Sequence, residues 1–282
     1  MFRKTALSLQ VVTIVLLLTS QAFSQESQED EQYGFIEPAV EFSTGDYGTD
    51  EDTDLFSIPI TVGYSPIPRL ELYVTFVPFM YMKTTNLLAV AGRPVVGMKG
   101  HGSKHTLPPD DTEQEDTDRD SETGIGDTTV GLSYYLLEQT QTLPSIYFSG
   151  SIKLPTADED KYLGTGEFDY IVELGASKDF GPWGLFGSVE YNFIGDPGGD
   201  YDLDDYAGIT LGISHRSFER LKNSLYIYAA EAISDESDDQ LEIGFKSRFS
   251  IDPRNDISAF VARGLQDGSP DWQLGLYWSW YF

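Results

Sequence analysis

The sequence predicts an all-β protein: one transmembrane antiparallel up-and-down β-barrel of about twelve strands with long acidic extracellular loops. Three observations predict it. Beyond an export-type N-terminus, no apolar stretch approaches the ~18 residues that a membrane helix requires. Segment after segment alternates apolar and polar residues with a period of two, as a strand with one greasy face does. The connections alternate short and long, as bacterial barrels divide periplasmic turns from outside loops.

Arg3 and Lys4 precede an apolar run from Val11 to Leu18, and Ala22-Phe23-Ser24 sets small residues where a signal peptidase reads. That run is too short for a bilayer core of roughly 20 residues. Residues 1–24 are therefore expected to be a removed secretory signal, and residues 25–282 a single barrel domain. The chain has no cysteine, which excludes a disulfide framework, a thiolate metal site and a lipidated N-terminal cysteine. A formal net charge of -28 argues against nucleic acid as a partner, because phosphates would be repelled.

The strands follow in order. Phe56, Ile58, Ile60, Val62 and Tyr64 alternate with Ser57, Pro59, Thr61 and Gly63; Leu70, Leu72, Val74 and Phe76 with Glu71, Tyr73, Thr75 and Val77. Pro59 and Pro78 each lack a ladder donor and predict a bulge or a strand end. Val130, Leu132, Tyr134 and Leu136 alternate with Thr129, Gly131, Ser133 and Tyr135; Ile146, Phe148, Ile152 and Leu154 with Tyr147, Ser149, Ser151 and Lys153. Tyr170, Val172 and Leu174 oppose Glu173 and Gly175, and Leu185, Val189 and Phe193 oppose Ser188, Glu190 and Asn192. Ile209, Leu211 and Ile213 oppose Gly208, Thr210 and Gly212, and Leu241, Ile243 and Phe245 oppose Glu242, Gly244 and Lys246. The last strand is the clearest: Trp272, Leu274, Leu276, Trp278, Trp280 and Phe282 on one face, Gln273, Gly275, Tyr277, Ser279 and Tyr281 on the other. Segments 33–43, 222–232 and 256–264 are weaker, and Tyr226-Ile227-Tyr228-Ala229-Ala230 does not declare an outward face.

Short turns are expected at Pro66-Ile67-Pro68, Gln139–Thr142, Phe180-Gly181-Pro182, around Arg216–Lys222 and at Asp252-Pro253-Arg254-Asn255. The intervening longer loops carry most of the acid, above all Asp110 to Glu122. Such runs are usually solvated surface; the functional alternatives are divalent cations bridging to lipopolysaccharide, or cations gathered at a pore mouth. No stretch has the spacing of a calcium loop, so no metal or other cofactor is assigned. Segment 84–123 begins apolar, with Leu87-Leu88-Ala89-Val90 and Pro94-Val95-Val96. Its first half is open to three readings: folding into the barrel as a constriction, an extra short hairpin, or plain disorder.

With the apolar face turned to lipid, Glu71, Lys153, Glu173, Glu190, Glu242, Lys246 and Arg248 become the lumen-lining candidates. A Lys or Arg facing mid-bilayer lipid would cost ~2–4 kcal/mol, so these charges belong inside, lining a water path or pairing across a closed lumen. Trp278, Trp280 and the terminal aromatic Phe282 resemble the assembly signal of bacterial outer-membrane proteins. The expected partners are outer-membrane lipid and lipopolysaccharide, the barrel assembly machinery and a small solute. Of three histidines, His101 and His105 sit in the long loop. His215-Arg216-Ser217 has the His-x-Ser spacing of outer-membrane phospholipase but lies at a periplasmic turn without that family's flanking Asn-Gly. No enzyme active site is assigned.

Gly124-Ile125-Gly126-Asp127-Thr128-Thr129-Val130-Gly131-Leu132 resembles the GxGD strand start of the outer-membrane family labelled MetA-pathway of phenol degradation. Lys153-Leu154-Pro155-Thr156, Gly164-Thr165-Gly166 with Asp169-Tyr170, and Gly187–Phe193 resemble it too. The acidic insertion 99–122 and the loop around Asp158 depart from the pattern. The resemblance implies an outer-membrane transporter of small solutes, aromatic ones among them, and brings no catalytic residues. A non-conducting surface-binding or envelope-structural barrel working through its acidic loops is the alternative.

Overall fold

In the computed structural model, residues 33–48, 52–83, 87–90, 93–95, 121–198, 203–235 and 237–282 are described. The expected signal segment 1–24, most of the acidic run from Asp110, His101 and His105 lie outside these residues. Strands β1 (Gly34–Gly45), β2 (Thr53–Ile67) and β3 (Leu70–Met82) lead into a small hairpin, β4 (Leu88–Val90) and β5 (Arg93–Val95), and a short β6 (Glu122–Gly124). Then follow β7 (Thr128–Leu137), β8 (Ser145–Leu154), β9 (Asp169–Phe180), β10 (Trp183–Phe193) and β11 (Tyr206–Phe218). The series ends with β12 (Leu221–Ala230), β13 (Gln240–Asp252), β14 (Asn255–Gly264) and β15 (Trp272–Tyr281).

Leaving β4, β5 and β6 aside, twelve long strands form one antiparallel sheet in which β15 pairs back onto β1, Tyr281 opposite Phe35 and Tyr277 opposite Ala39. The sheet is closed, which removes the edge strands that an open sheet would have to protect. Strands of 10 to 15 residues meet the ~9–11 that a tilted crossing of the bilayer needs. Leu72, Leu132, Leu174, Leu211, Ile227 and Leu276 point outward and remain exposed, while Thr61, Glu71, Ser133, Glu173, Thr210 and Gln273 point inward and are buried. A surface with its grease outside and its oxygens inside is stable only with hydrocarbon around it.

The proline pair marks an irregularity. Ile58 pairs with Phe79 and Ile60 with Phe76, so Val77 and Pro78 of β3 face the single Pro59 of β2, a bulge. Below the bulge β3 pairs with β7, above it with β6, and the Gly126 amide donates to the Val77 carbonyl at 2.9 Å between them. The first turn lies at Pro68-Arg69 rather than over Pro66-Ile67-Pro68, because β2 continues through Ile67 with a shifted register. All three weak segments are strands. In β12, Tyr226, Tyr228 and Ala230 face in and Leu225 and Ile227 face out. His215 sits within β11, near its end, rather than in the turn.

Candidate functional site: the lumen and its mouth

Inward glycines and inward aromatic side chains are matched on neighbouring strands. A Cβ added to Gly63 would fall 2.0 Å from the Phe35 ring, on Gly131 2.3 Å from Tyr73, and on Gly175 2.1 Å from Tyr147. Gly244 stands in the same relation to Tyr226, and Gly275 to Phe260. Each ring lies over bare backbone, so the glycine on the adjacent strand makes room for an inward aromatic side chain. Gly175→Val should therefore destabilise the barrel by about 1–3 kcal/mol. Gly150→Ala, whose new methyl would meet nothing closer than 3.7 Å, should be near neutral. Guanidinium unfolding in detergent micelles, followed by tryptophan fluorescence, checks both; equal midpoints for the two variants would contradict this packing.

The seven lumen candidates all lie on the inner face. Glu71, Glu173, Glu190, Glu242, Lys153 and Lys246 are buried, and Arg248 joins its neighbours inside. Tyr147 donates to Glu173 at 2.9 Å and Tyr228 to Glu190 at 3.3 Å. Gln273 donates to Glu242 at 2.7 Å. Near the end of the barrel with the short turns, Arg248 Nε donates to Asp256 at 2.9 Å and Arg248 Nη2 to the Tyr281 hydroxyl at 3.1 Å, while Lys246 stands 5.9 Å over the Tyr277 ring. Ser279 donates to Glu37, and Tyr277 to Glu41. These bonds run along the wall, between strands that are adjacent or next but one.

Glu37, Glu41 and Asp256 belong to this lining although sequence reasoning missed them. Their signal was period two in Ile36, Val40 and Phe42 and in Ile257, Ala259 and Val261, blurred by inward Phe35 and Phe260.

Two devices occupy the end of the barrel that carries the longer connections. The first is a clasp. Buried Lys153 forms ion pairs with Asp169 at 2.9 Å and Asp127 at 3.2 Å and donates to Thr165 at 2.9 Å. Asp127 also accepts the amides of Thr156 and Ala157. A Cβ on Gly164 would come within 2.8 Å of the Asp127 carboxylate, and one on Gly126 within 2.9 Å of Val77. Three of the four segments that carried the family resemblance thus meet in one place, tying the β8–β9 connection to the start of β7, while Gly187–Phe193 lies in β10.

The second device is a lid. Of the three readings, a short hairpin, β4–β5, forms, and its Leu87, Leu88, Ala89 and Val90 are buried. Ala89 packs with Leu55, Met80, Met82 and Leu163 beside β2 and β3, and Leu88 and Val90 pack with Tyr206 and Ile233 beside β11 and β12. Those walls are nearly opposite in the strand order, so the hairpin crosses the mouth. Tyr162 of the β8–β9 connection touches both clusters, and its carbonyl accepts the Ala89 amide at 2.9 Å.

The His-x-Ser pair lies near the end of β11. His215 Nδ1 lies 3.1 Å from Ser217 Oγ, but the ring packs on Trp183 with centroids 4.4 Å apart. That is an interfacial histidine satisfied by its neighbours. Among the described residues, no group of three His, Asp or Glu side chains is placed to hold a metal ion.

A closed twelve-strand barrel, apolar outside and lined with aromatic and oxygen groups inside, defines a β-barrel of the outer-membrane type. The chain belongs to the family described as "Putative MetA-pathway of phenol degradation", whose pattern matches residues 69–282. Its fold is similar to that of a crystallised outer-membrane channel from Pseudomonas putida F1, with a TM-score of 0.65 at 12% identity, over 92% of this chain and 98% of that one. The NanC porin is more distant, with a TM-score of 0.51 at 8% identity over 88% of this chain and 98% of that one. No curated protein matches the chain in sequence.

Proposed function

We propose that the protein is a passive channel through which small solutes, aromatic or otherwise poorly water-soluble ones among them, cross the outer membrane. The observation that carries this reading is the closed barrel itself, apolar on its outer face and carrying oxygen-bearing and aromatic side chains on its inner face. Selection then comes from the lumen side chains Glu71, Lys153, Glu173, Glu190, Glu242, Lys246 and Arg248 and from the apolar lid, with no energy source. Lipid and lipopolysaccharide surround the outward face. Residues 1–24 serve export and are removed. Planar-bilayer recording of the purified protein tests the channel: discrete openings support it, and a silent barrel whose loops bind a surface ligand would replace it with the non-conducting alternative.

Trp278, Trp280 and Phe282 stand exposed on the outer face of β15, available to the barrel assembly machinery before lipid covers them. Phe282→Ala should lower the amount of folded barrel in the outer membrane while leaving refolding of the purified chain into detergent micelles unchanged. Heat-modifiable gel migration reads both, and equal defects in cells and in micelles would assign Phe282 to stability alone.

A further inference from the structure

On one side of the barrel a row of polar side chains interrupts the apolar outer face. The register sets Trp183 of β10 opposite His215 of β11, His215 opposite Asn223 of β12, and Asn223 opposite Ser247 of β13. Alternation with the buried Gly184, Ser214 and Lys246 turns this row outward. Ser217 joins it: Asn223 Nδ2 donates to its Oγ at 3.0 Å, and His215 Nδ1 lies 3.1 Å from the same oxygen. Exposed apolar residues flank the row along the strands, Ile213, Leu225 and Phe245 toward the middle of the barrel, Phe218, Phe249 and Ile251 toward the short turns. Phe218 is the most open of these, at 72%. The polar row therefore lies within the band that the barrel turns to the membrane, where a hydrogen-bonding group without a polar partner is costly.

The strand ends beside the row are cationic, in a chain whose formal net charge is -28. Residues 177–183 and 215–223, the β9–β10 and β11–β12 turns with their flanks, carry Lys178, Arg216, Arg220 and Lys222 against two acids, Asp179 and Glu219. Lys222 takes up Asp179 at 3.8 Å, and Arg220 donates to the Ile251 carbonyl at 3.0 Å, which fixes its guanidinium beside the end of β13. Arg216 and Arg220 are exposed. Whatever hydrogen bonds these side chains make, their charges remain, and each adds to the attraction of the rim for an anionic membrane surface. Neutral donors deeper in the band and cations at its edge repeat the order in which a phospholipid presents its oxygens, esters first and phosphate beyond.

We infer that this outer face, over β10 to β13 and the short turns beside them, binds a glycerophospholipid with an anionic headgroup. The amide of Asn223, the hydroxyls of Ser217 and Ser247 and the indole of Trp183 meet the ester and phosphate oxygens, and the arginines meet the headgroup charge. A second copy of the barrel suits the face less well, because two such faces brought together would set Arg216 and Arg220 against cations of the same kind.

Phosphatidylglycerol and phosphatidylcholine with the same acyl chains share phosphate and ester oxygens and differ in net charge. Native mass spectrometry of the purified barrel, titrated with each in micelles, should show about tenfold tighter retention of phosphatidylglycerol. Arg216→Gln combined with Arg220→Gln should remove that preference. His215→Leu combined with Asn223→Leu, which makes the outer face apolar throughout, should weaken retention of phosphatidylglycerol at least about threefold. Heat-modifiable migration verifies that each variant folds. Equal retention of the two lipids by the parent, a preference that survives the arginine changes, or unchanged retention after the leucine changes overturns the inference. So does tighter retention of purified lipid A, which would assign the face to lipopolysaccharide, or a dimer that forms in place of the lipid complex, which would assign it to a second copy. None of these outcomes measures conductance, so the channel reading stands or falls separately, in planar bilayers.

Discussion

A barrel carrying Lys153→Met is expected to be about 3–5 kcal/mol less stable than the parent, because the change leaves buried carboxylates without their cation. Lys153 is 1% exposed and Asp169 is fully buried, so neither loss can be made good by water. Asp127→Asn should be milder: an amide oxygen can still accept the Thr156 and Ala157 amides, and Asp169 keeps its lysine. The effect should extend to the mouth, since the clasp holds the connection whose Tyr162 carbonyl receives the lid. Guanidinium unfolding of the parent and the two variants checks the order. A Lys153→Met loss below about 1 kcal/mol, the size of an exposed pair, would mean that the cluster is solvated and does not act as a closed unit.

The largest functional change should follow from removing the lid. Replacing residues 87–95 with a short Gly-Ser linker deletes Leu87, Leu88 and Val90 from the mouth, side chains whose burial is worth about 1.5–3 kcal/mol each. If that burial holds the closed arrangement, its loss shifts the balance toward an open mouth by at least roughly tenfold, one decade for each ~1.4 kcal/mol. Single-channel recording should show longer openings, and uptake of polar probes should rise along with that of apolar ones, because the apolar filter has gone. Unchanged conductance and unchanged probe preference would place the barrier inside the barrel, among the aromatic rings and carboxylates, instead of at the mouth.

The outer face was legible in the chain alone. Trp272 to Phe282 alternates without interruption, and Leu72, Val130, Leu174 and Leu211 lie where their period puts them, because facing lipid demands an unbroken apolar stripe whatever the neighbouring strand does. Pro59 and Pro78 announced the bulge for a local reason too, since neither can donate to a ladder. The lumen candidates followed from the same period. Segments 33–43 and 256–264 were faint because their inward positions hold Phe35 and Phe260, aromatic residues tolerated inside only where glycines on adjacent strands make room.

The sequence by itself determined which side chains meet lipid and which are turned away from it, since that choice is made within each strand by a period of two. Only the tertiary structure decided which inward residues become neighbours: that Lys153 finds both Asp127 and Asp169, that Leu88 crosses to Tyr206, and that Glu71 aligns with Glu173 and Glu190. Register and closure are relations between strands distant in the chain, set by bulges, turn lengths and the joining of β15 to β1, and no single segment encodes them.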